Sequence, residues 1–115
     1  MATRSLIGKL NSDNTVTFIY CHFDGYPSGV GAVLRKHYNS ESRLDELLAL
    51  GDLSVLGKSL GEKRDFNNAS PLDEACLAYG RDRGEENTEA SQVSLEEYLK
   101  KDMRGEDYKY LYKGE

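Results

Sequence analysis

The chain has no tryptophan, and only two residues each of cysteine, histidine, proline and methionine. Each scarcity removes a class of function. Cys21 and Cys76 lie far apart and form no CxxC pair, so neither a disulfide framework nor a thiolate zinc cluster is expected, and reduced thiols are. His22 and His37 fit no HxH or HExxH spacing, and Asp24 stands without clustered acidic neighbours, so the reading gives no metal and no cofactor. Apolar runs fall well short of the roughly 20 residues that cross a bilayer, and the opening MATRSLIGKL has no apolar core of a secretory signal, so no membrane partner is expected. Positive charge is also short. Against 20 Asp and Glu stand 15 Lys and Arg, a net charge of -5, which argues against general affinity for nucleic-acid backbones while being too mild to announce a DNA mimic.

What remains is a charged, water-compatible chain, with 38% hydrophobic residues and a mean hydropathy of -0.66. Its 115 residues suit one domain spanning 1–115. Residues 3–10 and 15–22 flank the turn-forming run Asn11, Ser12, Asp13 and Asn14, the pattern of a β-hairpin. In the second arm Val16, Phe18, Tyr20 and His22 alternate with Thr17, Ile19 and Cys21, so both faces carry apolar groups and the strand belongs at the centre of its sheet.

After Pro27, Ser28 is placed to cap a helix carrying Val30, Val33 and Leu34. A second helix starts near Ser42, runs through Leu44, Leu47 and Leu48, and ends at Gly51. Asp52 then opens a brief turn, and residues 61–70 read as a loop with Phe66 turned inward. Residues 76–83, CLAYGRDR, begin as a strand and lead into a loop at 84–92. Ser94 and Glu97 stand in capping-box register for a third helix ending near Gly105. Tyr108, Tyr110 and Tyr112 alternate with Lys109, Leu111 and Lys113, the pattern of an edge strand whose lysines discourage pairing with other chains. The order β-β-α-α-β-α-β contains no repeated βαβ unit. It predicts an α+β fold, an antiparallel or mixed sheet of about four strands with about three helices packed on one face.

The densest chemistry lies in YCHFDGYPSGVG, residues 20–31. A strand, a glycine turn and a helix start would make an anion site from free amides, yet Gly25, Gly29 and Gly31 satisfy neither the P-loop nor the dinucleotide fingerprint. In the structural reading Gly25 supplies a left-handed turn residue while Gly29 and Gly31 let the helix approach the sheet. His22 and Asp24 are the candidates for acid and base, and Cys21 would be the nucleophile. Strand alternation points Cys21 and His22 to opposite faces, which opposes that pair. For ligand binding the candidates are Arg4, His22, Asp24, Tyr26, Arg81 and Arg83. If the strand persists through 81–83, the two arginines share a face and can grip an anion with forked donors. The alternative is pairing with neighbouring carboxylates.

The segments TRSLIGKL, NTVTFIYCHFDGYPSGVG, LLALGDLSVLG and AYGRDRGE together resemble a set of small phage and prophage proteins, most sharply over residues 19–31. The group typically has an aromatic where Phe23 stands. The resemblance implies a viral origin and the cytoplasm of a bacterial host, and it carries no catalytic assignment. The leading expectation is an accessory protein that acts by binding, countering host defence by blocking a host protein or by sequestering a small anionic, nucleotide-like ligand. Two others stand beside it: a small hydrolase or nucleotide-modifying enzyme using His22 and Asp24, and a virion or assembly component that forms homo-oligomers through its last strand.

Overall fold

A computed structural model describes residues 3–63, 65–68, 75–100 and 105–113. The hairpin forms as the sequence directs, with β1 (Ser5–Leu10) and β2 (Thr15–Cys21) antiparallel, Ser5 opposite Cys21 and Leu10 opposite Val16. Its turn is held by its own side chains. Asp13 Oδ1 accepts from the Thr15 amide and hydroxyl, and Asn14 takes a φ of 68°, a conformation asparagine tolerates.

The α+β fold read from the sequence is the one the chain adopts, with six strands and four helices among the described residues where the pattern gave about four and three. The sheet is mixed. Its order is β4 (Leu77–Ala78), β3 (Leu53–Val55), β2, β1, β6 (Tyr108–Tyr112), with β5 (Ser91–Ser94) pairing β2 off this path. β2 is central: β1 runs along one side, while β5 takes residues 15–18 and β3 meets Cys21 on the other.

Alternation along β1 and β2 builds two cores. Ile7, Ile19 and Cys21 face α1 (Ala32–His37) and α2 (Glu41–Ala49), where Tyr38, Leu44, Leu47 and Leu48 complete the larger cluster. Leu6, Val16 and Phe18 face the other way and enclose Tyr98 of α4 (Leu95–Tyr98), whose ring centroid lies 5.4 Å from that of Phe18. Helices therefore cover both faces of the sheet, where a single face was expected. A central strand with apolar groups on both sides requires this.

Local departures have local causes. Ser40, not Ser42, caps α2, its hydroxyl accepting from the Arg43 amide, and Gly51 ends the helix at a φ of 80°. The expected turn after Asp52 is instead β3, drawn in because the His22 and Phe23 amides donate to the carbonyls of Leu53 and Ser54. The strand starting at Leu77 stops after two residues. Asp82 reaches back 2.8 Å to the Ala78 amide and starts α3 (Tyr79–Arg83), which Gly84 closes at a φ of 77°.

Ser94 does cap α4, accepting from the Glu97 amide at 3.1 Å. The reading of that helix onward to Gly105 crosses residues 101–104, which lie outside the described residues. β6 occupies the sheet edge, parallel to β1. Lys109 turns inward, against the expectation that lysines guard that edge: its ammonium lies 3.2 Å from the Glu106 carboxylate and donates to the Tyr98 carbonyl at 2.6 Å. No helix among the described residues is long and apolar enough to cross a membrane.

Candidate functional site

Beyond Cys21 the backbone turns sharply at one end of the sheet. Asp24 adopts the left-handed conformation, φ 59°, the role the sequence assigned to Gly25. Gly25 is required for another reason. Its amide donates 2.8 Å to the Thr3 carbonyl, and a Cβ there would sit 2.7 Å from that oxygen and 2.9 Å from Ser5 Cβ. The Asp24 carbonyl accepts from the Val30 amide at 2.8 Å, which ties the turn to the single wide π-helical turn Pro27–Gly31 ahead of α1.

Side chains around this turn separate as alternation dictates. Cys21 is buried in the larger core, its thiol directed at the Phe23 carbonyl 3.6 Å away, and burial pushes its pKa up to about 12. A thiol held protonated in that way is no nucleophile. His22 lies on the opposite face, with Nδ1 2.7 Å from the Tyr20 hydroxyl. The Asp24 carboxylate accepts from the Tyr26 hydroxyl at 3.0 Å, and this bond chiefly raises the Tyr26 phenol above its ordinary pKa. His22 and Asp24 thus hold different partners and form no dyad among the described residues.

Arg4 is fixed through its backbone. Its amide donates 3.0 Å to Asp107 Oδ2, and its carbonyl accepts from the amides of Asp107 and Tyr108. Burial raises the Tyr20 phenol, and the neighbouring Arg4 guanidinium opposes the rise. Arg4, Tyr20 and His22 therefore line one face at this end of the sheet, with Asp24 and Tyr26 on the turn beside them.

Arg81 and Arg83 lie on α3 rather than on a strand, so they do not form the forked pair. A guanidinium has five N–H donors, and Arg81 spends all of them: two on Asp82, two on the carbonyls of Leu60 and Gly61, one on that of Cys76. Arg83 pairs with Glu85 at 3.4 Å and stands 5.2 Å over the ring of Phe66, which stacks on Tyr79. Phe66, read from the sequence as turned inward, is half-buried between Tyr79 and Arg83 and joins neither core cluster.

Two features escaped sequence reasoning. Phe23, Tyr26 and Tyr108, at 42%, 39% and 40% exposure, are three of the four exposed large apolar side chains among the described residues, and all three sit at the Arg4 end of the sheet. Strand counting treated Tyr108 as edge packing. Its pairing with Ser5, which brings it to this end, is a contact between distant segments that no local pattern encodes.

The second feature is a groove of about 290 Å³ between β6 and the helices α1 and α2. None of the candidate site residues lines it. The alternating tyrosines of β6 and the helical spacing of Gly31, Leu34, Arg35 and Tyr38 are its signal in the sequence. No protein-family model, curated protein or solved structure matches the chain.

Proposed function

We propose that this chain is a non-catalytic recognition protein that docks on a protein partner through the Asp24 end of its sheet. The single observation carrying this reading is that Phe23, Tyr26 and Tyr108, three of the four exposed large apolar side chains among the described residues, all lie at one end of the sheet on well-tied backbone. Exposed aromatic rings are among the side chains that dominate binding energy at protein interfaces, and a turn held at both ends loses little entropy on docking. The buried, protonated Cys21 and the absence of a His22–Asp24 bond weigh against the hydrolase reading. The full engagement of Arg81 weighs against nucleotide sequestration, which leaned on that side chain. Blocking a host protein in the cytoplasm of a bacterial host is the role that fits the phage-type resemblance.

The test is affinity capture from bacterial extract with the wild type and with the Phe23→Ala/Tyr108→Ala double variant. Loss of roughly 2 kcal/mol or more per hot-spot ring makes the captured partner disappear in the variant. A partner retained at full yield by the double variant overturns the proposal, and so does turnover that depends on His22.

A further inference from the structure

The groove between β6 and the helices has the make-up of a ligand site. Ile7, Leu34 and Leu44 give it aliphatic walls, and Tyr38, Tyr110 and Tyr112 add ring surface. The Tyr110 hydroxyl donates 2.7 Å to the Gly25 carbonyl and that of Tyr38 donates 2.8 Å to the Gly57 carbonyl, so both rings are pinned in place. At about 30 Å³ for each water-sized group, the volume accommodates on the order of ten such groups. That is a small organic molecule and no chain segment.

The polar side chains of the lip are as informative as the walls. Arg35 and Asn39 border the groove, and neither makes an ion pair or side-chain hydrogen bond among the described residues. In a chain with net charge -5 and ion pairs at Lys9, Arg43, Arg81, Arg83, Lys100 and Lys109, the Arg35 guanidinium has no carboxylate partner among the described residues. It lies in the last turn of α1, and its positive charge at the groove's lip favours an anion.

We infer that this groove binds a small aromatic monoanion, its ring laid between the tyrosines of β6 and Leu34 and its carboxylate held by Arg35 and Asn39. A bare inorganic ion would leave the apolar walls wet, and a neutral hydrocarbon would leave Arg35 without a partner. The site is distinct from the protein-docking end, since the two share no side chain.

The test is titration of ¹⁵N-labelled protein with 2-naphthoate and, separately, with its uncharged twin 2-naphthamide. Naphthoate is expected to bind saturably below about 1 mM, shifting the amides of Gly8, Gly31, Leu34 and Leu111, with naphthamide at least roughly tenfold weaker. Arg35→Gln, on the exposed side of a helix, is expected to keep the wild-type spectrum and melting temperature while reducing naphthoate to the affinity of naphthamide. No saturable shift, equal affinity for the two probes, or shifts confined to the Arg4 end each overturn the inference.

Discussion

Arg81 and Asp82, consecutive in the chain, close on each other through N–H···O bonds of 3.0 and 3.1 Å, with the Asp82 side chain wholly shielded from solvent. The same guanidinium grips the carbonyls of residues 60, 61 and 76, while the same carboxylate starts α3. One adjacent pair thus fastens β4 and α3 to the segment at residues 60 and 61.

Arg81→Ala removes two N–H donors from that buried carboxylate together with the grip on three carbonyls, and is expected to destabilise the fold by roughly 3 kcal/mol. Arg83→Ala removes an exposed ion pair and a ring contact with Phe66, and should cost about 1 kcal/mol or less. Urea unfolding of the two variants checks the contrast; equal midpoints would contradict it.

One tautomer of the neutral His22 ring is expected to dominate. Arg4 can only donate, and its guanidinium lies beside the phenol oxygen of Tyr20, which leaves the Tyr20 proton for Nδ1 and puts the neutral ring's own proton on Nε2. Nitrogen chemical shifts of the imidazole should show an unprotonated Nδ1 in the wild type, and a mixture of tautomers in Tyr20→Phe.

Stability should fall on the alkaline side. Burial lifts the Cys21 thiol from its ordinary pKa of 9.0 to about 12 in the fold, and the buried phenols of Tyr38 and Tyr98 are raised as well. The native state holds these protons more tightly than the unfolded chain, so the contribution is complete below the unfolded thiol's pKa of 9.0 and is lost as pH climbs toward 12. Urea midpoints measured upward from neutral pH should hold steady and then decline once pH passes 9.0. Over the same range Cys21 should resist iodoacetamide in the native state and react once unfolded.

Gly25→Ala forces a methyl group against the Thr3 carbonyl and Ser5 Cβ, neither of which is the movable tip of a side chain. A loss of about 2 kcal/mol is expected in chemical denaturation, with β1 and the turn shifted together. Asp24→Gly, which relaxes a left-handed residue, should be neutral or slightly stabilising despite losing the bond from Tyr26.

Features written in short-range periodicity were legible in the sequence. The hairpin, the central place of β2, the opposed faces of Cys21 and His22, the Leu44, Leu47 and Leu48 stripe and the Ser94 cap all follow from residues a few positions apart. What escaped depends on distant segments. β3 exists because the His22 and Phe23 amides seek carbonyls, and polar Ser91–Ser94 is a strand because β2 has an open side at residues 15–18. Arg81 and Arg83 looked like paired binding groups until Asp82 turned their strand into a helix. The candidates Arg4, His22, Asp24 and Tyr26 do come together, whereas the groove beside them is built from side chains that read as ordinary core.

β1 has its outer side closed by β6, which is completed about a hundred positions later in the chain. At translation rates of 5–20 residues per second, the emerging hairpin waits roughly 5–20 s with that side open. During that interval any extended peptide within reach can take the place of Tyr108–Tyr112, a cellular vulnerability that ends only when β6 itself leaves the ribosome.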